Sequence, residues 1–194
     1  MPGRPSYREL LEAIQEANRS FKNAFHEIGS WRSRDARGVA KARLALDKFH
    51  ETMKPLFADR LALISKRLAS GDLSFVDELL EFLSADIAAF RVGYAKERYY
   101  RQLKKMPLTE AQSDKLREIA LARCASGEYR REDSELRRLM IRLADWDFLC
   151  RVHAIPSKPQ SRIEGHKMRM MQVVLRNRQD LKALLGTENK RELS

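Results

Sequence analysis

The chain has 194 residues, of which 43% are hydrophobic and 34% charged, a balance that builds a folded core and excludes wholesale disorder. Thirty-eight basic residues stand against 27 acidic ones, a net charge of +11. Such an excess attracts polyanions, chiefly nucleic acid or an anionic membrane surface, whereas eight glycines and six prolines are too few turn formers for an all-β protein.

Residues 1–7 lack the apolar core of a signal peptide. The longest apolar stretch, 79–90, is interrupted by Glu81, Ser84 and Asp86 and falls well short of the ~20 residues a membrane span requires. Two cysteines, Cys124 and Cys150, do not make a disulfide scaffold and read as buried or half-buried free thiols in a reducing compartment. A cytoplasmic location is the expectation.

Apolar spacing predicts six helices. The first covers residues 7–28, opened by Ser6 and Glu9 as a capping box, with Tyr7, Leu10, Leu11, Ile14, Ala17, Phe21 and Phe25 at helical intervals. A short loop, 30–38, carries Trp31, Arg32, Arg34 and Arg37. Helix two, 39–69, keeps its apolar phase across Pro55, which predicts a kink or two stacked segments. Helix three, 74–105, begins at Ser74 and Asp77 and is apolar on most of its circumference. Its acidic residues lie in the first half and its basic residues in the second, which suits one helix macrodipole.

Pro107 ends that helix, and Thr109 with Gln112 forms a second capping box for helix four, to residue 125 before Gly127. Helix five is expected over 133–153, with Leu136, Leu139, Leu143, Trp146 and Cys150 on one stripe. The segment 155–160, with Pro156 and Pro159, is an extended connector. Ser161 and Glu164 cap helix six, which runs to residue 185. The expected fold is therefore all-α, a single bundle of about six helices with short loops. Residues 1–154 form the bundle, and 155–194 add the connector and a basic C-terminal helix packed on it.

No catalytic or metal signature emerges. Asp47 and His50 have the i, i+3 spacing of a bundle metal site, but no second pair matches. Cys150 and His153 are near in sequence, which does not make a nucleophile and base. No glycine-rich loop follows a strand to cradle a phosphate. The chain is expected to be no enzyme, to hold no cofactor or metal, and to use no small-molecule substrate.

The positive charge is unevenly placed. Residues 1–50 carry ten basic and six acidic residues, residues 151–194 carry ten and four, and the middle is almost neutral. Two patches result. One comprises Arg32, Arg34, Arg37, Lys41 and Arg43, beside Trp31, which could stack on an unpaired base. The other lies on helix six, where Arg162, His166, Arg169 and Arg176 share a stripe, flanked by Lys158, Lys167, Arg178 and Lys182, with Ile163, Met170, Val174, Leu181 and Leu184 opposite. A third cluster, Arg98, Arg101 and Lys105 with Tyr94, Tyr99 and Tyr100, is better explained by the helix dipole. Gly3-Arg4-Pro5 is a weak likeness to minor-groove arms.

These features predict a non-enzymatic nucleic-acid-binding protein, a small subunit that contacts the phosphate backbone of DNA or RNA inside a larger nucleoprotein complex. The strand type stays open. The competing expectation is a helical adaptor that binds an acidic protein surface or self-associates head to tail. Membrane binding is disfavoured, because the apolar faces are wide enough to require a core.

Overall fold

A computed structural model describes residues 5–27, 36–85 and 91–180. Every regular element among the described residues is helical, in agreement with the all-α expectation, and no helix is long and apolar enough to cross a membrane. The chain divides into two compact units, Met1–Val92 and Gly93–Ser194.

In the first unit, α1 (Tyr7–Glu27) opens with the expected capping box: the Ser6 amide donates to Glu9 at 2.6 Å, and the Glu9 amide donates to the Ser6 hydroxyl at 3.2 Å. Leu10, Leu11, Ile14, Ala17 and Ala24 are buried on one face. That face packs against α2 (Ala36–Lys54), with Phe21 stacked on Phe49. At Pro55 the helical backbone does not stop. It continues as a π-helical segment, Pro55–Leu61, into α3 (Ala62–Ala69), with helical dihedrals at both junctions. Proline has no amide to give to the i→i−4 ladder, and a wider turn accommodates that missing donor. Leu56, Leu61, Ile64 and Leu68 stay buried through it.

The next helix departs from the expectation. Asp72, not Ser74, is the capping residue: its carboxylate accepts from the Ser74 amide at 3.0 Å and starts a short 3₁₀ turn, Leu73–Phe75. Then α4 (Val76–Ser84) ends where Ala85 turns extended (φ −68°, ψ 93°). The chain re-enters a helix as α5 (Val92–Leu103), after Arg91 at φ 60°. Residues 86–90 lie outside the described set. The predicted single helix is thus two. A stretch apolar all round has no phase to lose, so the break leaves no trace in periodicity. The charge sorting then serves two dipoles instead of one: α4 keeps acidic residues in its first turn and α5 a basic residue in its last, each favourable to its own helix.

In the second unit, α6 (Glu110–Ser126) has the Thr109–Gln112 capping box and stops at Gly127, in the left-handed region at φ 64°. The expected helix five is again two: α7 (Asp133–Leu143) and α8 (Trp146–Ala154). Ala144 is extended, and the Asp145 carboxylate accepts from the Phe148 amide at 2.7 Å. This junction re-phases the helix. Phe148, Leu149 and Val152 become the buried positions, while Cys150, placed on the core stripe by a continuous helix, is exposed.

The connector 155–160 leads to α9 (Arg162–Asn177), capped by Ser161 as predicted. The helix breaks at Arg178 (φ −123°, ψ 87°), inside the span expected to run to residue 185; residues 179–180 are helical again, and 181–185 lie outside the described residues. Met170 and Val174 are buried, and α9 packs on α6, α7 and α8. The connector therefore lies within the second unit, and the division of the chain falls near residue 92 instead.

Candidate nucleic-acid interface

Cations in the second unit fall into two groups. One group is occupied by the fold itself. Arg117, on α6, donates to the Leu143 carbonyl at 2.8 Å and pairs with Asp114 at 2.5 Å and with Glu110. Arg142 donates to the Lys104 carbonyl at 2.8 Å, at the end of α5. Arg178 donates to the Ala144 carbonyl at 3.1 Å and to that of Ile141 at 3.3 Å, while Asp180 accepts from it at 2.6 Å. Each of these guanidinium groups satisfies carbonyls orphaned at a helix end.

Two residues of the expected α9 patch belong to this group and must be corrected, and Arg178 joins them as a C-terminal anchor. Lys167 is 7% exposed, and its ammonium donates to the Ile155 carbonyl at 2.8 Å and the Ser157 hydroxyl at 3.1 Å, with Glu164 at 3.4 Å. It ties α9 to the connector and faces no solvent. His166, expected on the basic stripe, is 4% exposed. Burial and the cations Arg123 and Arg137 pull its pKa below the usual histidine value, against an opposing pull from Asp133. Its Nε2 is buried without a hydrogen-bond partner, so the ring sits in the fold as a neutral group.

The other group is free of such duties. Arg162, Arg169 and Arg176 are exposed on α9, and none has an acidic partner among the described residues. Spaced seven residues apart, they form one row about 21 Å long on the helix surface. Lys158 is exposed just before that row.

The α2 patch is not assembled in the same way. Lys41 and Arg43 are both exposed but two residues apart, so they point to different sides of the helix. Arg37 lies in the first turn of α2, with its side chain outside the described set. Trp31, Arg32, Arg34 and Lys182 also lie outside it, as do Gly3, Arg4, Leu181 and Leu184.

Tyr129, in the loop between α6 and α7, belongs beside the α9 row although sequence reasoning passed over it. It is 53% exposed. The Arg169 guanidinium lies 4.5 Å from its ring centre, and the His166 ring packs against it at 4.5 Å. Its backbone is held from below. The buried Arg123 donates to the Glu128 carbonyl at 2.9 Å and to Asp133 at 3.2 Å, and Asp133 accepts from the Arg130 amide at 2.8 Å. Both neighbours of Tyr129 are therefore pinned to one buried ion pair. The available signal was an aromatic residue in a six-residue charged loop, Gly127 to Glu132, between two capped helices.

The third cluster also separates. Tyr99 and Tyr100 are buried core residues, whereas Tyr94 is 60% exposed with the Arg131 guanidinium 4.1 Å from its ring centre. Arg101 pairs with Glu97 and reaches Glu135 at 3.4 Å. Burial raises the Glu135 carboxyl, but hydrogen bonds from Lys104 at 2.7 Å and Arg138 at 2.6 Å outweigh it and hold it below the usual range.

Cys124 is buried, with its thiol pushed up to about 11 by burial and then by Asp133, which disfavours the thiolate. Among the described residues no three metal-ligating side chains converge. Comparison with protein-family models, curated proteins and solved structures finds no match to this chain.

Proposed function

We propose that this chain is a non-enzymatic nucleic-acid-binding protein, a small subunit whose α9 face lies along a phosphate backbone within a larger nucleoprotein complex. One observation carries the reading. Arg162, Arg169 and Arg176 form an exposed row without acidic partners among the described residues, in a unit whose other arginines are largely engaged by carboxylates and helix-end carbonyls. Guanidinium forks match phosphate oxygens, and a row on one helix face can follow a regularly spaced polyanion. Lys158 extends the row, while Lys41 and Arg43 offer a separate, weaker contact. The sequence carries no helix-turn-helix signature, so contact by charge and shape is the expected mode.

The test is a titration of equal-length single-stranded DNA, single-stranded RNA and duplex DNA across a salt series. Binding should persist near 0.15 M salt. In the triple variant Arg162→Gln/Arg169→Gln/Arg176→Gln the log-log salt slope should shrink by about 2 to 3, close to one unit per lost phosphate contact. An unchanged slope, or no binding to any probe at that salt, overturns the reading.

A second reading has an observation of its own. On α2, Leu44 is 72% exposed and Val39 43% exposed, beside Lys41 and Arg43. Val39 with Arg43 and Lys41 with Leu44 make two mixed apolar and cationic strips on different sides of α2, which fit contact with an acidic protein, the adaptor role. Binding that is independent of polymer length but saturates on one folded acidic partner would favour it.

A further inference from the structure

The loop between α6 and α7 is flanked by two exposed tyrosine–arginine stacks. Toward α9, Arg169 covers Tyr129 at 4.5 Å. Toward α5, Arg131, from the loop itself, covers Tyr94 at 4.1 Å. Tyr129 and Arg131 are two residues apart, so the backbone anchors of the two stacks lie within about 7 Å of each other. The tyrosines rank among the most exposed large hydrophobic side chains of the described residues, at 53% and 60%. Single exposed hydrophobic side chains are ordinary on a protein surface; what sets these two apart is the guanidinium that lies over each ring.

Both stacks are held in place. Tyr129 is fixed by the Arg123–Asp133 pair beneath its neighbours. Gly93, at the start of α5, faces the loop: a β-carbon there would meet the Glu132 carboxylate at 2.8 Å and the Arg131 β-carbon at 3.8 Å. The Arg131 charge is already met by Glu97 at 2.6 Å, so this residue offers a flat guanidinium plane more than a free cation. Arg169 offers both plane and charge, since it has no acidic partner among the described residues.

Planar rings and guanidinium faces accept unpaired bases by stacking, independently of base identity, whereas duplex DNA keeps its base faces stacked inside and offers a platform only backbone and groove edges. We propose that the two Tyr–Arg stacks are platforms for two unpaired bases, which makes the preferred ligand of this surface a single strand whose phosphates run along Arg162, Arg169 and Arg176. This inference rests on the phosphate-binding role of α9 and adds to it the strand type.

The experiment uses the full chain and a 12-nucleotide single strand containing 5-iodouracil, against a duplex of the same length. The proteins are the wild type, Tyr129→Leu, Tyr94→Leu and, as a backbone control, Arg162→Gln/Arg176→Gln. Both tyrosines are more than half exposed, so leucine should leave the fold intact, which a thermal melt checks. The expected result is tighter binding to the single strand, with about a tenfold loss in each tyrosine variant, within the range of one lost base stack. Duplex binding should stay unchanged in those variants, and photo-crosslinks should map to Tyr129 and Tyr94. If single strand and duplex bind equally, and only the arginine control weakens both, the phosphate reading stands and the stacking inference is overturned. A response at one tyrosine alone also overturns the two-platform arrangement. If no probe binds, both fall together.

Discussion

His166 joins the fold to pH through one ring. It packs against Tyr129, faces Asp133, Arg123 and Arg137, and is held below its ordinary pKa by burial. The folded chain therefore takes up this proton less readily than the unfolded chain. Stability is fully present above the unfolded value, near 6.5, and is lost as pH falls from there through the lower folded value. The melting temperature of the wild type should drop between pH 7 and 5, and in His166→Gln that part of the drop should disappear. Equal pH slopes in the two proteins would show that the ring does not titrate against folding. Lys167, its neighbour, makes a related point about charge: an ammonium tied to two connector oxygens is a structural donor, and its formal charge does not describe the surface it was expected to supply.

Junctions decide the elements. Thr109 and Ser161 form their caps as the residue pattern implies, because a hydroxyl three residues before a matching amide acts locally. Asp145 acts by the same chemistry, yet it sits inside a run whose leucine spacing continues past it. The competing signal, an unbroken helical phase, concealed it. Replacing Asp145 with Ala should cost about 1 kcal/mol through the lost cap on α8, readable as a shift in denaturation midpoint without change in slope. An unchanged midpoint would mean that the α7–α8 junction is held by Arg117 and Arg178 alone. Pro55 is the converse case. Its missing donor is absorbed by a π-helical segment, and the preserved apolar phase on either side was a sound guide to continuity.

For the whole molecule, the division near residue 92 makes a prediction. The second unit has its own core, with Leu116, Ala120, Leu136, Leu139, Phe148, Val152 and Val174 nearly or fully inaccessible. A fragment of residues 93–194 should give a helical circular dichroism spectrum and a single cooperative melt. A broad, non-cooperative melt would show that this core is incomplete without the first unit. The sequence by itself determined the all-helical class, three of the capping motifs and the buried positions Leu10, Leu11, Ile14 and Ala17 of α1 and Met170 and Val174 of α9, because these depend on interactions within a few residues along the chain. Only the tertiary structure decided where the long helices break, which cations remain exposed on α9, and that Tyr129 lies beside Arg169. Those outcomes depend on which distant carbonyls and carboxylates reach each guanidinium, and periodicity along one helix carries no record of that.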